Sequence, residues 1–240
     1  MKRLQFNIIA LIAGIALTGT SSCMLNCIRG SGDTKTENRK VGDFSRISIS
    51  GVYKVVLKQD STLGIAISAD DNLLKYIKTT VTGDKLRIYN KRNFCNAGEL
   101  TVTIGVRNLE EVGASGVVEV RSDGKINAKD MHFELSGASK IDMDLTAAKV
   151  TTNGTGASEL NLKGQATSHD IDLSGDSKVY ALDFVVGSCD IQSTGVGHSE
   201  VDVLNSLSVH SSGASEVKYR GNPSNITNDK SGASSIEKVN

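Results

Sequence analysis

The stretch FELSGASKIDMDL (residues 133–145) decides how this chain is to be read. Phe133, Leu135, Gly137, Ser139, Ile141, Met143 and Leu145 share one parity, and Glu134, Ser136, Ala138, Lys140, Asp142 and Asp144 share the other. A period of two held over thirteen residues is the pattern of a strand with one face buried, not of a helix. Its centre, Gly-Ala-Ser, returns along the chain as Gly-x-Ser. The glycines are Gly113, Gly137, Gly156, Gly175, Gly197, Gly213 and Gly232, and the paired serines are Ser115, Ser139, Ser158, Ser177, Ser199, Ser215 and Ser234. The spacing centres on 19 residues, the signature of a stacked repeat. RISISGVYKVVL (46–57) is an outlying eighth copy around Gly51, with Tyr53 where serine is usual.

Each copy therefore reads as strand, glycine bend, strand and a connection to the next copy. Antiparallel hairpins favour Asn-Gly or Asp-Gly and have no need of one identical bend per unit. A coil of about 19–22 residues stacked on its neighbours does need it. The expected fold is all-β, a right-handed parallel β-helix or β-solenoid, the hand following from the preference of parallel crossovers. Coils about 4.8 Å apart would extend the seven bends over about 29 Å. Glycine permits a corner where a Cβ would collide with the coil above. The serines are expected to form an inward hydroxyl column. Beside it, Lys140, Glu159, Lys178 and Glu200 alternate in sign and predict an outward charge ladder. Ser136, Thr155, Ser174, Val196, Ser212 and Ser231 predict an outward strip rich in hydroxyls.

Repetition argues against Gly-x-Ser as a nucleophile, since one site needs one nucleophile. A hydrolase elbow also requires glycine two residues after the serine, which the copies from Gly137 onward lack. His132, His169, His198 and His210 fall on the outward parity without a common partner. A calcium roll would need aspartate at every bend, and only Asp176 supplies one. No metal site and no cofactor is expected. The outward pairs Asp142/Asp144 and Asp170/Asp172 could hold two acids as glycosidases do, so a polysaccharide-processing enzyme is the alternative function. Trp is 0 and aromatics are 4% of the chain, few for the stacking platforms that sugar-processing grooves carry.

Lysine plus arginine number 27, and aspartate plus glutamate also 27, so no basic footprint points to nucleic acid. At the N-terminus Lys2 and Arg3 precede the apolar run IIALIAGIAL (8–17), which is short for a membrane span and fits an export signal. Residues 1–22 read as a lipoprotein-type signal peptide with Cys23 as the acylated residue. Thr20 stands where such signals usually carry leucine, and an ordinary signal cleaved nearby is the other reading. Residues 23–40 are polar and aperiodic and read as a flexible tether. Residues 41–240 form a single solenoid domain, with repeats clearest from 113 to 236. Of the remaining cysteines, Cys95 and Cys189 are the expected disulfide. DDNLLKYIKTTV (70–81) predicts one short helix, with Leu73, Leu74 and Ile77 at helical spacing. The 41–110 region is expected to cover one end of the stack, where strand edges would otherwise lie open.

FSRISISGVYKVVL (44–57), ADDNLLKYIKTTVTGDKLRIYNK (69–91) and the serial SGAS units together resemble the putative auto-transporter adhesin head domain family, the GIN domain, common among exported proteins of Bacteroidetes. The resemblance covers about residues 43–235. It implies a β-helix-like fold and an envelope or cell-surface setting, and it brings no binding residues with it. The expected function is an exported, membrane-anchored, non-catalytic module of the cell envelope. Its partner would be a surface glycan or protein, or a second copy bound through an open edge, and it would meet the membrane only through its lipid.

Overall fold

The computed structural model describes residues 27–60 and 63–240. The expected signal peptide and the expected acylation site Cys23 lie outside the described residues. Alternation of small and β-branched side chains produces strands almost throughout, and parallel pairing stacks them into a β-solenoid. The coils are carried by β3 (Arg46–Gln59), β9 (Glu111–Asn127), β10 (Asp130–Gly137), β11 (Lys140–Gly154), β12 (Glu159–Gly175), β13 (Lys178–Gly195) and β14 (His198–Gly213). The series closes with β15 (Glu216–Arg220), β16 (Asn225–Gly232) and β17 (Ser235–Lys238). Inward side chains form one continuous core, with Ile47, Phe133, Ile141, Val179 and Ile191 fully buried.

One column sets the register. Gly51, Gly116, Gly137, Gly156, Gly175, Gly195, Gly213 and Gly232 stack on one another, and all have positive φ, from 75° to 135°. The residue after each later glycine donates its N–H to a glycine carbonyl of the preceding coil. Ala138 to Gly116, Ala157 to Gly137, Asp176 to Gly156, Val196 to Gly175, Ala214 to Gly195 and Ala233 to Gly213 are all 2.8 Å. A Cβ on Gly137 would lie 2.8 Å from the Gly116 carbonyl oxygen, so both torsion and space demand glycine.

This column corrects two expected bends. Gly113 lies on a straight strand opposite Ser48 and Glu134, and the corner of that coil is Gly116. The corner at 195–197 is Gly195, while Gly197 is buried between the serine positions of its neighbours, Ser177 and Ser215. The sequences GASG (113–116) and GVG (195–197) each offer two glycines, and stacking selects the one that can carry positive φ beneath a carbonyl. Two serines move as well. Ser115 joins the outward column with Ser50 and Ser136, and Ser199 is buried between Val179 and Val217. The inward hydroxyl column is thus Ser139, Ser158, Ser177, Ser215 and Ser234, all buried. Ser158 donates to Ser177 at 3.1 Å, Ser177 donates to the Ser174 carbonyl at 3.0 Å, and Ser215 bonds Ser193 at 2.9 Å. With the correct corners, successive coils from Gly116 are 18–21 residues long, a tighter range than the Gly-x-Ser spacing gave.

Between Gly51 and Gly116 the chain builds the cover for the first coil. β6 (Lys85–Asn90) lies parallel to the first half of β3, and β8 (Thr101–Val106) to its second half. β4 (Gly64–Asp70) runs antiparallel to β8, and β5 (Ile77–Thr82) antiparallel to β6. The expected helix is one turn, α1 (Asp71–Leu74). Ile77 already belongs to β5, because the β-branched run Thr79–Val81 pairs with β6.

The expected tether is ordered from Cys27 onward. β2 (Thr34–Arg39) forms the exposed antiparallel edge beside β4. β1 (Cys27–Arg29) pairs with β7 (Asn93–Cys95). TKTENR shows no apolar alternation because an edge strand held by main-chain bonds leaves all its side chains exposed except Arg39, which turns in to the Leu74 and Ile77 carbonyls, and its charges keep that edge from pairing further. The disulfide is Cys27–Cys95, not Cys95–Cys189, with Cα atoms 5.6 Å apart. Cys189 points into the core beside His169 and Leu207, remains a thiol, and burial pushes its pKa up.

At the far end Ile226 and Ile236 continue the apolar columns, but other inward positions turn polar. Asn228 lies over Val209 and Lys230 over Ser211, which lets the last coil face water.

Gly137→Ala is expected to lower unfolding stability by about 2–4 kcal/mol, from the disfavoured torsion and the carbonyl collision. Gly113→Ala, whose Cβ would meet nothing closer than 3.5 Å, should cost less than about 1 kcal/mol. Urea midpoints of the two variants check the assignment, and equal losses would contradict it.

Candidate functional site

Because the glycine column fixes register, outward positions after the bend also stack. Three residues past the corner stand Lys54, Glu119, Lys140, Glu159, Lys178, His198 and Glu216. The expected column of alternating charge exists, is longer than the sequence suggested, and has His198 in the place assigned to Glu200, although Lys54 pairs with Glu99 and Lys178 with Asp176 outside it. Lys140 Nζ lies 2.8 Å from Glu159, which raises the lysine pKa and lowers the glutamate's. His198 bridges Glu216 at 2.9 Å and Glu200 at 3.0 Å. Glu216 is lowered chiefly by its bond to Lys218, with His198 adding to it. The hydroxyl strip runs Ser50, Ser115, Ser136, Thr155, Ser174, Thr194, Ser212 and Ser231, so Thr194 stands where Val196 was expected.

Register breaks on the same arm, beyond the ladder, open a groove of about 610 Å³. Between β12 and β13 the pairing shifts from Asn161/Tyr180 to Lys163/Asp183, and between β13 and β14 it shifts from Ala181/Val201 to Val185/Asp202. The extra residues push Leu182 and Asp183 outward as a rim. Arg220 braces that rim, donating to the Leu182 carbonyl and to Asp202 at 2.9 Å. Along the floor stand Asp142, Asn161, Tyr180 and Glu200, one per coil, with Asp144 and Lys163 beside them.

The Asp142/Asp144 pair singled out in the sequence therefore lies in this groove. Asp142 accepts a hydrogen bond from Asn161 at 2.5 Å, and Lys140 stands 4.0 Å away. Asp144 lies between Lys163 at 3.9 Å and Lys125 at 4.0 Å. Tyr180 packs its ring against His198 at 5.5 Å, leaving its other side to the groove. The Asp170/Asp172 pair is on the other arm, where Asp170 is paired with Lys149 at 2.7 Å. Sequence reasoning missed Tyr180, Asp183, Lys163 and Arg220. Their convergence comes from bulges, and no residue type announces a bulge here.

His169 is the one histidine of the four that points inward, correcting the expectation that all face out. Its Nε2 bonds the Thr152 hydroxyl at 2.9 Å, its ring meets Phe184 edge-on, and its Nδ1 has no partner. Burial lowers its pKa to about 4. Among the described residues no group of three or more His, Cys, Asp or Glu is placed to hold a metal ion, and no helix is long and apolar enough to cross a membrane.

The family model for the putative auto-transporter adhesin, head GIN domain, matches residues 43–223. The chain belongs to this family. Its fold is shared by a putative adhesin from Bacteroides fragilis NCTC 9343 at 21% identity, covering 88% of this chain and 100% of that one, with a TM-score of 0.84. A putative lipid binding protein from Parabacteroides distasonis ATCC 8503 has 18% identity, coverage of 89% and 99%, and a TM-score of 0.70. A putative adhesin from Parabacteroides merdae ATCC 43184 has 19% identity, coverage of 90% and 100%, and a TM-score of 0.67. No curated protein matches the chain. Family membership makes this solenoid an adhesin-like module.

Two outcomes are expected of these side chains. Lys140→Glu places three carboxylates in succession, with Glu119 and Glu159, and should lower the melting temperature more in low salt than in high salt. A salt-independent change would remove the ladder. For His169, the unfolded chain takes up a proton near pH 6.5, whereas the folded core refuses it until about pH 4. Stability should therefore fall as pH drops through that window, by about 3 kcal/mol in full. His169→Met should flatten that part of the urea-midpoint profile.

Proposed function

We propose that this protein is an exported, lipid-anchored, non-catalytic binding module that holds a surface glycan across the Tyr180 groove. The observation that carries the reading is the groove itself. At about 610 Å³ it is of a size that ligand sites commonly have. Its walls combine one aromatic face with acceptors from Asp142, Asp144 and Glu200 and donors from Lys163 and Arg121. Closely spaced donors and acceptors beside a ring suit the many hydroxyls and the apolar face of a sugar. A protein ligand would be expected to want a broader apolar centre. Adhesin family membership supports a binding role at the cell surface. Lys2, Arg3, the 8–17 apolar run and Cys23 support export and anchoring through acylation.

The second reading, a polysaccharide-processing enzyme, is favoured by one observation, the presence of both Asp142 and Asp144 in the groove. Against it, both carboxylates are already engaged, Asp142 by the Asn161 amide and Asp144 by two lysines.

A glycan array probed with the wild-type protein and Tyr180→Ala should show binding that the variant loses by roughly tenfold or more, since stacked aromatics dominate such sites. No glycan binding, or binding indifferent to Tyr180, would sink the groove reading. Turnover of a cell-wall or dietary polysaccharide that disappears in the Asp142→Ala/Asp144→Ala variant would establish the enzyme instead. Fatty-acid labelling that is present in the wild type and lost in Cys23→Ala tests the anchor.

A further inference from the structure

The N-terminal end of the solenoid carries a second recess, of about 760 Å³, between β6 and the segment 93–100. Arg87, Tyr89, Val52, Phe94 and Leu100 line it, and none of its lining residues is acidic. Val52 is 58% exposed and Tyr89 40% exposed, large apolar surfaces left facing water. Tyr89 is flanked across the strands by Lys78 and Ser50, and Arg87 by Thr80 and Ser48. Lys91 and Arg92 follow in the turn joining β6 to β7, both exposed. Lys78, Arg87, Lys91 and Arg92 form no ion pair among the described residues, whereas Lys85 and Arg46 nearby are taken up by Glu111 and Asp84. In a chain with equal numbers of acids and bases, this is a local excess of uncompensated positive charge around an apolar and aromatic floor.

The disulfide supplies a second, independent observation. Cys27 pairs with Asn93 along β1 and is bonded to Cys95, and Asn93 is itself part of the recess wall. The chain upstream of Cys27 therefore emerges beside the recess. Cys23 is four residues away, a reach of at most about 14 Å of extended chain.

We propose that this recess and its basic rim seat against the anionic phospholipid headgroups of the membrane that carries the anchor. Cations would meet phosphates while Tyr89, Val52 and Phe94 enter the interfacial layer, the usual place of amphipathic rings. The solenoid would then stand on its N-terminal end, with the later coils and the Tyr180 groove held away from the bilayer. The headgroup contact needs no acyl chain. Only its placement beside the anchor rests on the reading of Cys23 given above.

The test uses the chain from Met24 onward, which holds every described residue and no lipid, in co-sedimentation with vesicles. Vesicles of phosphatidylcholine mixed with phosphatidylglycerol should bind it at least about 100-fold better than phosphatidylcholine alone, and high salt should erase the difference. Each basic side chain at such a surface is worth roughly fivefold, so Arg87→Ser/Lys91→Ser/Arg92→Ser should lose on the order of 100-fold. Tyr180→Ala should bind vesicles as the wild type does. Equal binding to both vesicles, or a triple variant that binds unchanged, overturns the proposal. Displacement by inorganic phosphate beyond that by chloride at equal ionic strength also overturns it, because the recess would then be a free-phosphate site. Should the triple variant melt early, the salt series on the wild type and the turn variant Lys91→Ser/Arg92→Ser decide the matter. Absence of fatty-acid label on Cys23 would remove the anchor and leave the vesicle result standing.

Discussion

Everything in this molecule depends on the contact between one bend and the next. A glycine with positive φ lies directly beneath the following glycine, and its carbonyl receives the N–H of the residue after that glycine at 2.8 Å. Any side chain at this place would push against a carbonyl oxygen at 2.5–2.9 Å, as the positions from Gly116 onward show. The bond and the exclusion act together. The first holds adjacent coils in pairing distance, and the second prevents the chain from choosing another residue for the corner. A slip of one residue would place an L side chain in that gap and turn every inward residue outward.

Fixed register turns sequence positions into columns, and columns into surface chemistry. The lysine–glutamate ladder and the hydroxyl strip are consequences of stacking, since neither group of residues is adjacent in the chain. Charge in the ladder is worth little pair by pair at such exposure. Its larger effect is to disfavour registers in which like charges meet. The core follows the same logic with fewer resources. Having few aromatic residues, the chain fills its interior with Ile, Val, Leu and a line of serines, of which Ser158, Ser177, Ser215 and Ser234 bond another serine or the main chain. Single departures are tolerated inside this frame, such as Ser199 in an apolar column or His169 kept neutral by burial.

The groove and the N-terminal recess both lie where the regular stack is interrupted. The groove exists because β12, β13 and β14 lose step between Asn161 and Val186, pushing a rim outward that Arg220 then braces. The recess at the other end exists because the chain leaves the solenoid after β3 to build a cover and returns through the 93–100 segment. Regular coils present flat faces, whereas insertions make concavities with chemically mixed walls. The two concavities differ in charge, one mixed and rich in carboxylates, the other basic. That difference is why they are assigned different ligands.

The two-residue alternation in 133–145 and the recurrence of glycine settled a parallel stacked β fold before any contact was known, because both report local torsional and burial needs that each coil must meet for itself. Inward Ile141, Val179 and Val209, the Asp142/Asp144 pair and most of the ladder were legible for the same reason. What the sequence left open were choices between locally equivalent residues. Gly113 and Gly116, or Gly195 and Gly197, satisfy the same short pattern, and only the carbonyl of the coil beneath selects between them. Cys27, Cys95 and Cys189 are equally capable of oxidation, and only the cover that brings β1 beside β7 selects the pair. The aperiodic TKTENR looked like a tether because an edge strand gains its place from main-chain bonds, which leave no mark on side-chain pattern. Tyr180, Lys163, Asp183 and Arg220 became a site through bulges that no residue type announces. The sequence determined what each coil requires, and the tertiary structure decided which of the residues able to meet that requirement stands next to which.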